Sequence, residues 1–549
     1  MPTITFSLED LNRLIGKKIT IEKLEELLEY AKAELDSFEG GIITVSMGDT
    51  NQPYLWSVEG LARLLKTVLG LETGLRKVKA VKSKDLVVVD KNVKKVRPYI
   101  SAFAVKGCKM NDEFLKQLIQ LQEKLCHSFG MRRKKVAIGI YNYDKIKFPV
   151  HYKVVNPESV SFVPLEFKRE MTLNEILETH PKGVEFAWIL EGYKNFPILV
   201  DSNKQVLSFP PIINSDYSGK VEAGDSNLFF EATGTDLNAV RLAANIFAYA
   251  FAEHGFKIHE VCTKYGNKIE AVPYSFNEKV KADVSIVNKM LGLNLKEKDV
   301  KVLLKKMGYG YEKGYAVIPD YRQDIMHMVD VIEDVGISFG FENIPNKSLE
   351  SYSTGKTFRL VDFVDKVREL VIGLGYQEVL SPILTNKNLL YEMTNVPDFG
   401  TVEIENYMSE NYSVVRTWII PQLLELLSRN KKEEYPQKVF EQGLVTMRRD
   451  LKDYERIALL TSHAKADYTE VKQALDYILS GLRINYEIEE TEHKAFIPGR
   501  VARVKVNGKG VAYIGEIHPE VLENFKLNMP VAAIELNLTD LFNVICQKI

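Results

Sequence analysis

Four carboxylates, Asp324, Asp330, Glu333 and Asp334, crowd into eleven residues within the stretch DYRQDIMHMVDVIEDVGISFGFENIP from Asp320 to Pro345. Asp330, Glu333 and Asp334 stand at i, i+3 and i+4, a spacing that puts them on one side of a helix. Met328, Val331, Ile332 and Val335 supply an apolar stripe beside them. Like charges so close repel unless a cation, a basic neighbour or water offsets them. One reading is a shared magnesium site, because hard cations take oxygen ligands. The other is the solvated face of an amphipathic helix, the commoner use of charge at this spacing.

Whatever those acids do, one core cannot hold the whole chain. At 549 residues it is expected to divide into three or four domains. Hydrophobic content of 45% and charged content of 27% are ordinary for a globular protein. Basic and acidic side chains number 72 and 74, so contact with nucleic acid would need local patches rather than net charge. No apolar run approaches a membrane span, and the N-terminus lacks the pattern of a secretory signal. Cys108, Cys126, Cys262 and Cys546 are scattered without a CxxC pair, which argues against structural zinc or a disulfide framework. A reduced cytoplasmic setting is expected.

Texture divides the chain further. Residues 7–36 read as two helices, with Ser7 and Thr20 as caps and Gly40-Gly41 as the stop. The segment GDTNQPYLWSVEGLARLL passes from turn to helix at 48–65. Residues 76–106 alternate apolar and polar positions and carry many lysines, which predicts strands with a basic surface. A helix over 112–130 runs into Arg132, Arg133, Lys134 and Lys135, expected as a solvated loop with RNA contact as the alternative. A second long helix, 237–254, follows Asp236 as its cap. Between them FPPIINSDYSGKVEAGDSNLFFEATGTD combines a polar loop with an apolar strand that delivers Glu231, Thr233 and Thr235. Such groups can line a small-molecule site or simply cap helices and turns. Residues 271–346 read as helix, helix and hairpin, compatible with a winged-helix module. From 354 onward helices and strands mix: a helix to Gly373, the strand KVFEQGLV, and a hairpin at NGKG followed by a helix starting at His518-Pro519-Glu520.

Taken together, several segments carry a resemblance. The chain resembles the beta subunit of phenylalanyl-tRNA synthetase of the archaeal and eukaryotic cytosolic type, over essentially its whole length. The likeness rests on GDTNQPYLWSVEG, PPIINSDYSGK, FFEATGTD, PDYRQDIMHMVDVIEDV, GFENIP, SENYSVVRTWIIPQLLELLSRN, KVFEQG and PGRVARV with GEIHPEVL, in that order. It implies an α+β multidomain chain: an N-terminal module (1–75), an α/β tRNA-editing domain (76–270), a winged-helix-like module with the acidic helix (271–347), and a class II synthetase-like antiparallel-sheet domain without catalytic motifs (348–549). It also implies a partner alpha subunit in an assembly of two alpha and two beta chains. That subunit would hold the ATP, phenylalanine and transfer chemistry for the phenylalanine tRNA.

The resemblance carries site residues over one by one. Asp324, Asp330, Glu333 and Asp334 become magnesium ligands shared with the alpha subunit. For hydrolysis of tyrosine mischarged on the tRNA, the candidates are Glu231, recognising the phenol or a water, with Asn214, Ser215, Asp216 and Thr233 lining the pocket. A second site is useful there because a hydrophobic pocket rejects an added hydroxyl by only about 100-fold. The family's common GDTNRPDLWS is altered here to Gln52 and Tyr54, a pair of changes that can compensate each other.

Activation chemistry needs arginines to stabilise charge on the ATP phosphates. KVFEQGLV offers Glu441 without an arginine just ahead of it, and no glycine-rich stretch ends in Glu-Arg; Arg500 and Arg503 are expected to be structural or interface residues. Three other classes compete. They are a free-standing tRNA-editing or tRNA-binding protein, a self-sufficient class II synthetase, and a winged-helix DNA-binding regulator using Lys296, Lys298, Lys301, Lys305 and Lys306.

Overall fold

A computed structural model describes residues 2–108, 110–349 and 351–546. The chain forms two compact units, 1–348 and 349–549.

In the first unit, Thr3–Ser7, Ile42–Met47 and Ala33–Glu39 make an antiparallel three-stranded sheet. Ser7 caps the helix Leu8–Ile15 by accepting from the Asp10 amide, and Thr20 caps Ile21–Leu28 through Lys23. The expected second helix stops earlier than the glycines. AELDSFE is a strand, and Gly40-Gly41, both at positive φ, turn a hairpin back into Ile42–Met47. Ser57 caps Val58–Val68, a helix buried along its whole length. Its Arg63 and Lys66 meet Glu253 at 3.0 Å each, joined by Arg76 at 2.7 Å. Glu253 ends the long helix Leu237–Glu253, capped by Asp236.

Two sheets pack in the middle of this unit. One has five strands, ordered Ala80–Val81, Lys257–Glu260, Tyr99–Lys106, Asn227–Gly234, Val136–Asn142. The other has seven, from Ile213–Asn214 through Val206–Phe209, Phe196–Val200, Val150–Val155, Leu86–Val89 and Cys262–Tyr265 to Lys268–Glu270. Most pairings are antiparallel. The segment expected as an α/β domain is built as sheet packed on sheet with helices outside. The side-chain period of two explains the layering. Along Asn227–Gly234, Leu228, Phe230 and Ala232 enter the core under the helices, whereas Phe229 faces the second sheet with Ile100, Tyr141, Tyr152, Leu199 and Leu207. Glu231 and Thr233 share the parity of Phe229.

Three helices, Val284–Leu291, Glu297–Lys306 and Met328–Phe339, and a three-stranded antiparallel sheet complete the unit. One core cluster runs from Ile4 and Leu11 through Phe230 and Phe247 to Val331 and Val335.

The second unit is built on a seven-stranded sheet, ordered Gln377–Glu378, Gln437–Met447, Lys452–Ser462, Val531–Asn537, Lys509–Ile517, Phe496–Val506, Glu487–Glu490. All its pairs are antiparallel except the first. Arg359–Gly373, Tyr468–Gly481 and Leu538–Cys546 bury one face, and Ile420–Arg429 covers part of the other. Asn507 and Gly508, both at positive φ, make the expected hairpin, and His518 caps Pro519–Asn524.

Candidate functional site

Glu231 sits on a central strand, directly opposite Gly139. Its side chain is 3% exposed. Oε1 accepts a hydrogen bond from the Tyr141 hydroxyl at 2.9 Å, and Oε2 has no partner. Burial raises its pKa to about 7, although the Tyr141 hydrogen bond and the Arg97 charge pull the other way. A buried carboxylate with one open oxygen is costly to fold, so it marks a place where a ligand group is expected.

A cavity of about 170 Å³ has Glu231 in its wall. Asn214, Thr233, Ser208, Gln122 and Arg133 line it beside Glu231. Asn214 Oδ1 lies 3.2 Å from the Tyr141 hydroxyl. The Thr233 hydroxyl accepts from Arg97 Nε at 3.0 Å, and Arg97 also binds the Thr233 and Lys134 carbonyls. Three of the five expected pocket residues thus meet: Glu231, Asn214 and Thr233. Ser215 and Asp216 do not line this cavity. Ser215 caps the short turn Asp216–Gly219, and the Asp216 amide bonds to the Val163 carbonyl. Tyr141 and Arg97 were not anticipated. The glycine inside the strand VAIGIYN was the available signal, since an interior strand glycine often marks a close approach.

Beside this cavity lies a larger one of about 490 Å³, lined by Lys124, His127, Arg132, Arg133, Lys182 and Glu185 among others. Arg133 and Lys182 border both cavities. The basic run is not merely a solvated loop. Met131, Arg132 and Arg133 all take positive φ, a strained choice for side chains of this size. Arg133 turns inward, donates to the Ile212 carbonyl at 2.7 Å and lies over the Phe186 ring. Arg132 stays exposed.

The acidic helix Met328–Phe339 divides its carboxylates. Arg322, 2% exposed, donates to Asp324 at 3.0 Å and to Asp334 at 2.8 Å. Tyr309 also donates to Asp334. Asp330 accepts from the Met326 and His327 amides and so caps the helix start. Glu333 is 51% exposed and meets Lys32 at 2.8 Å. Among the described residues no group of three or more His, Cys, Asp or Glu is gathered to hold a metal ion. As four joint ligands, Asp324, Asp330, Glu333 and Asp334 do not fit a magnesium ion in this chain alone. The reason is electrostatic: Arg322 already supplies the positive charge between the two buried acids, and the other two face elsewhere. Nearby, Tyr54 donates to Gln52 at 3.3 Å and its ring lies 5.4 Å from the Arg322 guanidinium.

In the second unit Arg416, 2% exposed, pairs with buried Glu441 and also binds Gln422, Ser381 and the Leu444 carbonyl. The cation for Glu441 therefore comes from the segment VVRTW rather than from its own strand. Arg503 stacks on Tyr513 and donates to the Gly510 carbonyl, while exposed Arg500 meets Glu516.

Comparison with known proteins agrees along the chain. Residues 280–341 match the family described as tRNA synthetase B5 domain, and 344–538 match the phenylalanyl tRNA synthetase beta chain CLM domain. The phenylalanine–tRNA ligase beta subunit of Pyrococcus abyssi is 41% identical over 99% of this chain and 100% of its own. That of Archaeoglobus fulgidus is 39% identical over 99% of each. A crystal structure of an N-terminal fragment of the phenylalanyl-tRNA synthetase beta subunit from Pyrococcus horikoshii is similar with a TM-score of 0.59. It is 42% identical and covers 62% of this chain and 99% of that one.

Proposed function

From the premise that this chain belongs to the archaeal phenylalanine–tRNA ligase beta-subunit family, we propose that it joins an alpha subunit in a cytoplasmic assembly of two alpha and two beta chains, and that its Glu231 cavity hydrolyses tyrosine mischarged on the phenylalanine tRNA. ATP-dependent charging belongs to the complex, with the activation site on the alpha subunit. The locked Arg416–Glu441 pair supports a C-terminal domain that contributes no phosphate-binding arginine from that position.

One observation carries the hydrolytic reading: the partner-free Oε2 of Glu231 at the cavity. A tyrosyl phenol donates its proton to that oxygen. A phenylalanyl ring leaves the carboxylate buried and unsatisfied, which costs about 1–3 kcal/mol or more for a charged group. A site built around a substrate hydroxyl rejects the analogue lacking it far better than an apolar pocket rejects an added one. The phosphates of the tRNA end take the larger cavity in this reading, which Lys124, His127, Arg132 and Lys182 support against Glu123 and Glu185. Arg133 and Lys182 stand on the wall of both cavities.

The magnesium expectation narrows to Asp330 and Glu333. Each keeps one oxygen outside the bonds described above, and a partner chain would have to complete the ligand set. No step of the hydrolysis runs through that ion.

The test is deacylation of tyrosyl-tRNA by the purified alpha–beta complex and by its Glu231→Ala variant, with phenylalanine charging as the control. Loss of deacylation with charging retained is expected. Equal deacylation by both would end the assignment. Failure of the chain to bind any alpha subunit would instead favour the free-standing reading.

A further inference from the structure

We propose that Tyr141, admitted by Gly139, is a positioning residue that holds Glu231 as a hydrogen-bond acceptor, so that its free oxygen faces the tyrosyl phenol. This rests on the hydrolytic reading of the cavity given above. Three observations carry it. The first is the bond itself: Tyr141 donates to Oε1 at 2.9 Å and leaves Oε2 partner-free. The second is the space it needs. Gly139 pairs with Glu231 across the strands, and a Cβ there would collide with the Tyr141 hydroxyl and come within 2.6 Å of Glu231 Oε1.

The third is competition for one proton. The Tyr141 hydroxyl also lies 3.2 Å from Asn214 Oδ1, and a phenol can donate to only one acceptor at a time. The bond to an ionised carboxylate is the stronger of the two. While Glu231 is charged, Tyr141 stays on Oε1. When Glu231 takes up a proton, that advantage goes, and the acid can itself become a donor toward the cavity.

Arg133, Lys182 and Glu166 share the cavity wall with Glu231, and three further ionisable groups act on it from the elements packed around it. Arg97, which leads into Tyr99–Lys106, remains charged throughout. Cys126, on the helical segment Leu125–Phe129, is pushed up to about 11 by burial. Tyr152, from the opposing sheet, is driven far above its ordinary value by burial. None of these changes state near neutral pH. Burial sets Glu231 at about 7, and the Tyr141 bond is the larger of the two influences that hold it down. Removing the bond moves the carboxyl further up.

The experiment is the pH profile of tyrosyl-tRNA deacylation by the alpha–beta complex, corrected for spontaneous hydrolysis, from about pH 5.5 to about 8.5. The native complex should show a rising limb near pH 7. Tyr141→Phe should move that limb about one unit to higher pH, so that the rate below the limb falls about tenfold. Gly139→Ala should move it in the same direction by pushing the hydroxyl away. A limb that does not move in Tyr141→Phe, or a uniform drop at every pH, overturns the proposal. Glu231→Gln separates the two levels. If it deacylates normally, the hydrolytic reading falls too; if it is inactive while the Tyr141→Phe limb stays in place, only this inference falls.

Discussion

Arg322 donates to Asp334 at 2.8 Å, with both side chains almost completely removed from solvent. The same guanidinium holds Asp324, so one cation serves two buried acids. Breaking such a pair by removing one partner strands the other charge in the interior. Arg322→Met should therefore destabilise the first unit by about 3–5 kcal/mol. Arg322→Lys should recover only part of this, because an ammonium lacks the planar fork that reaches both carboxylates. Urea unfolding of the three proteins measures it.

Glu231 makes the opposite prediction, that removing a buried charge brings a gain in stability. Its folded pKa, about 7, lies above the ordinary 4.5. Below pH 4.5 the carboxyl is protonated in both states and costs nothing. As pH rises toward 7 the unfolded chain releases its proton first, so stability is lost across that window. Above pH 7 the full penalty of about 3 kcal/mol remains. Glu231→Gln should be more stable than the native protein at pH 8 by up to that amount, with no gain near pH 4.5. Equal unfolding midpoints at pH 8 would contradict the burial argument.

Glu253 should respond with the reverse sign. Burial alone would raise its carboxyl, but Arg63, Arg76 and Lys66 together outweigh burial and hold it below the ordinary value. Its contribution is present above the unfolded value of 4.5 and is lost as pH falls through the depressed folded value. Glu253→Gln should cost about 3–5 kcal/mol at pH 7, since three cations lose their partner. It should also flatten the decline in stability below pH 4.5. Denaturant titrations at two acid pH values resolve the slope.

The proposed magnesium role of Asp330 and Glu333 is tested through assembly. The paired change Asp330→Asn and Glu333→Gln keeps shape and leaves an acceptor for the Met326 and His327 amides. It also removes the ion pair with Lys32, worth about 0–1 kcal/mol at this exposure. On the proposed reading, magnesium strengthens association of the native chain with the alpha subunit, and the variant should show no such strengthening. Sedimentation of the mixture with magnesium and with chelator reads this directly. Tightening by magnesium that persists in the variant would remove these two residues from the site.

The sequence made some levels legible and hid others for physical reasons. Helix starts at Ser7, Thr20 and Asp236 follow from local capping chemistry, and the structure has all three caps. AELDSFE was misread because its strand character comes from pairing with Ile42–Met47, not from its own residues. Glu231, Asn214 and Thr233 stood out as polar groups flanking an apolar strand. Ser215 and Asp216 stood out equally, yet local turn bonds use them. Tyr141 was hidden because it reads as an ordinary strand aromatic until its register with Glu231 is known. The acidic spacing was plain. The neutralising role of Arg322 was not, because it depends on the turn that folds Arg322 back over Asp334.

Ile4 and Leu11 pack in the same core as Val331 and Val335. During synthesis those ends appear far apart in time. At roughly 5–20 residues per second, the opening helices leave the ribosome on the order of 15–70 s before the segment that closes their core. The part of this core that Val331 and Val335 complete stays open for that interval, so the nascent chain is a natural client for a holding chaperone. Slowing or pausing translation before residue 331 would lengthen its exposure to aggregation and proteolysis without altering a single contact of the finished protein.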